Sequence, residues 1–158
     1  MSKKQEYNAY HADCYVLGGS RSADFIYSFL ERFVPNRKEM ANEYEVPQYS
    51  DNPKSVFKTT YELVEYLVEH RGELYTVYWL NTEDTELKAA TCCFTREGQV
   101  IVGLSCQTLF PDTSIEDRYL SQLSEFCGSD LGYIAYEEPP SHDAYEFEAK
   151  VKTYRGIT

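Results

Sequence analysis

The chain has 158 residues, 42% of them hydrophobic and 26% charged, which suits a single folded domain with a sizeable core and excludes a disordered or low-complexity protein. Its 15 Lys and Arg against 26 Asp and Glu leave a formal charge of -11, which opposes binding to nucleic acid or an anionic membrane and favours a basic partner, although an acidic surface also serves plain solubility. No run of about 20 apolar residues and no apolar leader is present, so neither a membrane span nor an export signal is expected, and the expected address is cytoplasmic.

Residues 13–18, DCYVLG, read as a short strand. A helix follows, with Phe25, Ile26, Phe29, Leu30 and Phe33 on one face, Ser20 or Ser22 as N-cap, Asp24 at the positive end of the dipole and Pro35 beyond its end. The intervening GGSRS lacks both the P-loop and the dinucleotide fingerprints, so it reads as a strand-to-helix turn in which Arg21 balances local carboxylates. Residues 36–54 form a long connection with a short extended piece at EYEVPQY. At Thr59 and Glu62 a capping box opens a second helix that buries Leu63, Val64, Leu67 and Val68, holds His70 and Arg71 in its last turn, and stops at Gly72.

Three strands then follow closely, ELYTVYWLN (73–81), ELKAATCCFT (86–95) and QVIVGLSCQ (99–107), and their short polar links predict an antiparallel meander. The first, apolar at both parities, is expected to be central and covered on both faces. A second capping box, Thr113 with Glu116, opens a third helix that buries Ile115, Tyr119, Leu120, Leu123 and Phe126 and closes at Gly128. LGYIAYEE (131–138) reads as a strand ended by Pro139 and Pro140, and the alternating YEFEAKVKTY (145–154) as a charge-protected edge strand. The order β-α-α-β-β-β-α-β-β makes an α+β fold: a mixed, largely antiparallel sheet of about five or six strands with about three helices on one side. One domain spans 1–158, and residues 1–12 form a polar N-terminal segment that need not be rigid.

The five cysteines, Cys14, Cys92, Cys93, Cys106 and Cys127, are odd in number and lack C-x-x-C spacing, so they read as reduced, packed thiols. His11, Asp13 and Cys14 are residue types that a cysteine hydrolase uses, but on a strand position 14 points away from 11 and 13. His142 and Asp143 near Glu137 and Glu138 could hold a cation, yet an exposed acidic turn ordinarily holds only water. No cofactor, metal or catalytic residue is therefore expected. The most informative pattern is carboxylates interleaved with tyrosines, in a chain with 15 Tyr and one Trp. It singles out Glu43, Tyr44, Glu45, Tyr49 and Asp51 in the long connection, and Tyr136, Glu137, Glu138, Asp143 and Tyr145 near the C-terminus, as a surface for a basic protein.

With LGGSR after its first strand, then EYEVPQYSDNP, LYTVYWLN and GYIAYEEPP, this acidic α+β chain resembles, over roughly residues 14–148, the small immunity proteins of bacterial polymorphic-toxin and contact-dependent inhibition systems. The resemblance implies a non-catalytic cytoplasmic protein that binds and neutralises a cognate toxin domain, often a basic nuclease. Two other readings remain open at this level. One is an anti-defence inhibitor that mimics nucleic acid, and the other is a small enzyme built on His11 and Cys14 or on Glu137 and Glu138.

Overall fold

The computed structural model describes residues 11–154, so the expected N-terminal segment lies outside the described residues except for positions 11 and 12. The first strand, β1 (His11–Ser20), leads into helix α1 (Ala23–Phe33). The long connection carries three short strands, β2 (Arg37–Glu39), β3 (Tyr44–Val46) and β4 (Ser55–Phe57), before helix α2 (Thr60–Glu69). The meander is β5 (Tyr75–Asn81), β6 (Leu87–Phe94) and β7 (Gln99–Gln107), and it is followed by helix α3 (Ser114–Cys127), strand β8 (Gly132–Tyr136) and helix α4 (Ala144–Tyr154). The fold is α+β. Six strands form one sheet in the order β2-β5-β6-β7-β1-β8, every neighbouring pair antiparallel, and β3 pairs with β4 apart from it.

The sheet has two covered faces, where the pattern of helices suggested one. Cys14, Val16, Val77, Trp79, Cys92, Val102 and Leu104 pack with α1, α2 and α3 in the main core. Tyr15, Leu17, Cys93, Ile101 and Tyr133 point the other way and meet Ala144, Phe147 and Val151 of α4. Residues 144–154 are therefore a helix and not the expected edge strand. Phe147 and Val151 stand four apart, a spacing that fits both periods. The decisive residue is Asp143, whose Oδ1 accepts the Glu146 N–H at 2.6 Å and whose carbonyl accepts that of Phe147, starting a helix.

Strand β5 is likewise not central. It lies one strand from the edge, burying Tyr75, Val77 and Trp79 while Tyr78 and Leu80 reach solvent; the strands closed on both faces are β1, β7 and, from Ala90 to Phe94, β6. Helix α1 is capped by Ser22, whose Oγ accepts the Phe25 N–H, and α2 by Thr59, whose side chain accepts the Glu62 N–H. Helix α2 stops at Glu69, so His70 and Arg71 lie just past its last turn.

At the α1 entry, Gly18 leaves room that a Cβ would lose to the Phe25 ring, and Gly19 takes φ +104°. Arg21 then turns inward. It is 2% exposed and meets no carboxylate: Nη1 donates to the Leu67 and His70 carbonyls, both at 2.9 Å, and Nη2 to the Thr95 carbonyl at 2.6 Å. A buried cation closes the negative end of α2 and ties it to the end of β6.

The second capping box also fails. Thr113 is the N-cap residue of α3, but its hydroxyl donates to Asp117, and Glu116 is fully buried, its Oε2 accepting hydroxyls of Thr108 and Tyr136 at 2.7 Å each. It is a carboxylate under the N-terminal turn of α3 that anchors the turn before the helix to β8.

Candidate binding surface

Helix α4 packs over the β7-β1-β8 side of its face and shares a cluster with Cys93 of β6, leaving β5 and the start of β6, at Lys88 and Ala89, open. Three adjoining concavities occupy the opening. The first, of about 400 Å³, lies between Asp13, Tyr78, Lys88 and Ser105 and the turn at Glu137–Pro139. It shares Met40 and Tyr78 with a second of about 220 Å³ under Glu43, Glu45, Gln48 and Tyr49. The second shares Gln48 and Tyr49 with a third of about 400 Å³ that reaches Glu73, Arg96 and His142. Together they form a trough with the 40–49 segment on one bank and the 137–142 segment on the other.

Both banks are fixed to the sheet. The Gln48 side chain donates to the Thr76 carbonyl and accepts the Thr76 N–H, each at 2.9 Å, and the Tyr75 hydroxyl donates to the Glu45 carbonyl. Glu45 in turn accepts the Tyr49 N–H at 3.0 Å, holding Tyr49 at φ +65° with 81% of its surface exposed. Across the trough Glu137 takes φ +58°. Asp13, 5% exposed, secures this turn, with Oδ2 accepting the Glu138 N–H at 3.1 Å and Oδ1 accepting the Ser105 hydroxyl at 2.7 Å, while the Tyr15 hydroxyl donates to the Glu138 carbonyl. Burial pushes the Asp13 carboxyl up from its ordinary value, against the pull of Ser105 and His11. Burial would also raise Glu138, but the Tyr154 hydroxyl and Lys150 ammonium outweigh it and hold that carboxyl below the usual range.

Of the residues singled out in the sequence, Glu43, Glu45 and Tyr49 meet Glu137 and Glu138 around Met40 and Tyr78. Asp143 caps α4 and lies within 4.0 Å of Arg96 at the far end of the trough. The others are placed differently. Tyr44 borders the second concavity but is 4% exposed and packs in the core, its hydroxyl donating to Glu39. Tyr136 points to the opposite sheet face, where its ring meets Phe110 and its hydroxyl Glu116. Asp51 and Tyr145 are exposed but line none of the three concavities. Sequence reasoning did not single out Met40 or Tyr78; the exposed parity of β5 was the available signal for Tyr78, and none marked Met40.

The chemistry of His11, Asp13 and Cys14 also becomes legible. His11 Nε2 lies 3.7 Å from Asp13 Oδ1, while Cys14 points to the helical face and donates to the Glu116 carbonyl at 3.3 Å. The neighbouring Cys106 thiol and burial push the Cys14 thiol upward, away from the reactive thiolate. Ser105 and His11 both address the Asp13 Oδ1, the Ser105 hydroxyl by a direct hydrogen bond. All five cysteines are unbridged, and among the described residues no cluster of His, Cys, Asp and Glu is arranged to hold a metal ion. Among those residues, too, no helix is long and apolar enough to cross a membrane. Compared with protein-family models, with curated proteins and with solved structures, the chain finds no match.

Proposed function

We propose that this chain is a binding protein of the immunity type, which neutralises a basic toxin domain by holding it along the trough. The observation that carries the reading is the placement of strain. Tyr49 and Glu137, the non-glycine residues at positive φ among those described, stand on opposite banks, each held by a side-chain carboxylate or by the turn it secures. Such backbone costs of order 1–3 kcal/mol each and persists where the surroundings over-determine it, typically at binding sites. A fixed, exposed tyrosine is a low-entropy anchor, and Met40 and Tyr78 beside it supply an apolar centre. Around that centre Glu43, Glu45, Glu73 and Glu137 outnumber Lys88 and Arg96, matching a cationic partner.

The test uses the C-terminal domain of the protein encoded next to this chain. Titration should give a complex that weakens with salt, and Tyr49→Ala should weaken it by about 2 kcal/mol or more, the scale of an interface hot spot. A complex indifferent to Tyr49→Ala and Glu137→Ala, or no complex at all, would sink the proposal.

A further inference from the structure

The floor of the trough is a bare stretch of sheet. Tyr78 and Leu80 alternate with the buried Val77 and Trp79 of β5, so both point to the face that α4 leaves open, and Ala89 of β6 pairs with Leu80 there. Met40, just past the end of β2, lines the same concavities as Tyr78. Met40, Tyr78 and Leu80 are 60%, 39% and 40% exposed, three large apolar side chains on one face of the sheet. An exposed apolar patch rimmed by polar residues marks a surface that another chain covers.

The strand edge beside this floor is closed. Strand β2 pairs with Trp79, Leu80 and Asn81, and the Gln48 amide occupies both the N–H and the carbonyl of Thr76. Between these contacts lies Tyr78 alone, too short a gap for strand addition, which needs a run of free backbone groups. An occupant of the trough therefore meets side chains and not a ladder, and has to satisfy its own N–H and C=O groups while it covers Met40, Tyr78 and Leu80. An α-helix does so internally, and an extended segment does not.

The banks set the charge of that helix. Glu43 and Glu45 line one and Glu137 and Glu138 the other, outnumbering Lys88 in the first two concavities. An apolar stripe bordered by lysines or arginines complements the floor and both banks together. Resting on the reading of the trough as the site that holds a basic domain, we infer that the element seated there is a basic, amphipathic α-helix of that domain, its apolar stripe on Met40, Tyr78 and Leu80.

The test puts p-benzoylphenylalanine in place of Met40, Tyr78 or Leu80, one at a time, in the whole chain. Each protein is irradiated with the C-terminal domain of the protein encoded next to it, and mass spectrometry locates the adducts. The crosslinks should fall on one segment of the domain at spacings of three, four or seven residues, the stripe of a helix. Leu80→Asn, which lies outside both banks, should weaken the complex by about tenfold, the scale of one leucine returned to water. Crosslinks two residues apart or scattered over separate loops, in a complex that Tyr49→Ala still weakens, would overturn the helix and leave the binding reading standing. Unchanged affinity in folded Leu80→Asn does the same, and no complex at all overturns both. Leu80 is 40% exposed, so its replacement should keep the fold, which far-UV circular dichroism checks.

Discussion

Arg21 is a charged residue whose role is wholly structural. Burial and the nearby Arg71 bring its guanidinium down to about 10, so it remains charged at neutral pH while bonding only carbonyls. Arg21→Met should destabilise the fold by about 3 kcal/mol, because the Leu67 and Thr95 carbonyls lose charge-assisted partners in a buried place. Arg21→Lys should fall between the two, since an ammonium lacks the fork that spans α2 and β6; urea unfolding midpoints of the three proteins would check the order. Asp13 makes a different prediction, set by pH. Because burial holds its folded carboxyl above the ordinary 3.8, its contribution to stability is complete below that pH and is lost as pH rises through the folded value. Asn can still accept the Glu138 N–H while donating to Ser105, so Asp13→Asn should gain on the parent protein between about pH 4 and pH 7. A stability difference that is flat across that range would contradict this account of Asp13.

Helix α4 decides how much of the second sheet face is covered, and it rests on Phe147, which is fully buried against Tyr133. Phe147→Ala should cost about 3–5 kcal/mol, and hydrogen exchange of α4 should accelerate before that of β1 and β7. On the other face of the sheet, Tyr136→Phe removes one of the two donors to Glu116 and should cost about 1–3 kcal/mol by the same unfolding measurement. These two elements also mark where the sequence could be read and where it could not. The meander, α1 and α2 were legible because long apolar periods and local caps fix them without outside help, as at Ser22 and Thr59. Residues 145–154 were not, because their apolar spacing serves strand and helix alike and the choice falls to the helix start at Asp143 together with packing on Tyr133. Glu116 satisfies a local capping pattern but is claimed by Tyr136, twenty residues away. The trough was half legible: interleaved Tyr and Glu marked its banks, while Met40 and Tyr78 became its floor through the pairing of β2 and β5.

At the scale of the whole molecule, a charge of -11 is spread over a small domain, and the described cations answer it only locally. Lys58 pairs with Glu43, Arg37 with Glu31, Arg118 with Glu86 and Lys150 with Glu138, all at or near the surface, where such pairs contribute little. Net repulsion among the remaining carboxylates should therefore outweigh these attractions. Added salt screens charges farther apart than about 10 Å at 0.1 M, so it acts on the diffuse repulsion more than on pairs in contact. Raising sodium chloride from low ionic strength should thus raise the Tm of the free protein by a few degrees, on the order of 1 kcal/mol in stability. The same salt should weaken a complex with a basic domain, because there the long-range term is attractive. Opposite responses of one protein to one variable separate the two roles of its charge. A Tm that falls with salt would mean that contact pairs such as Lys150–Glu138 dominate the free molecule.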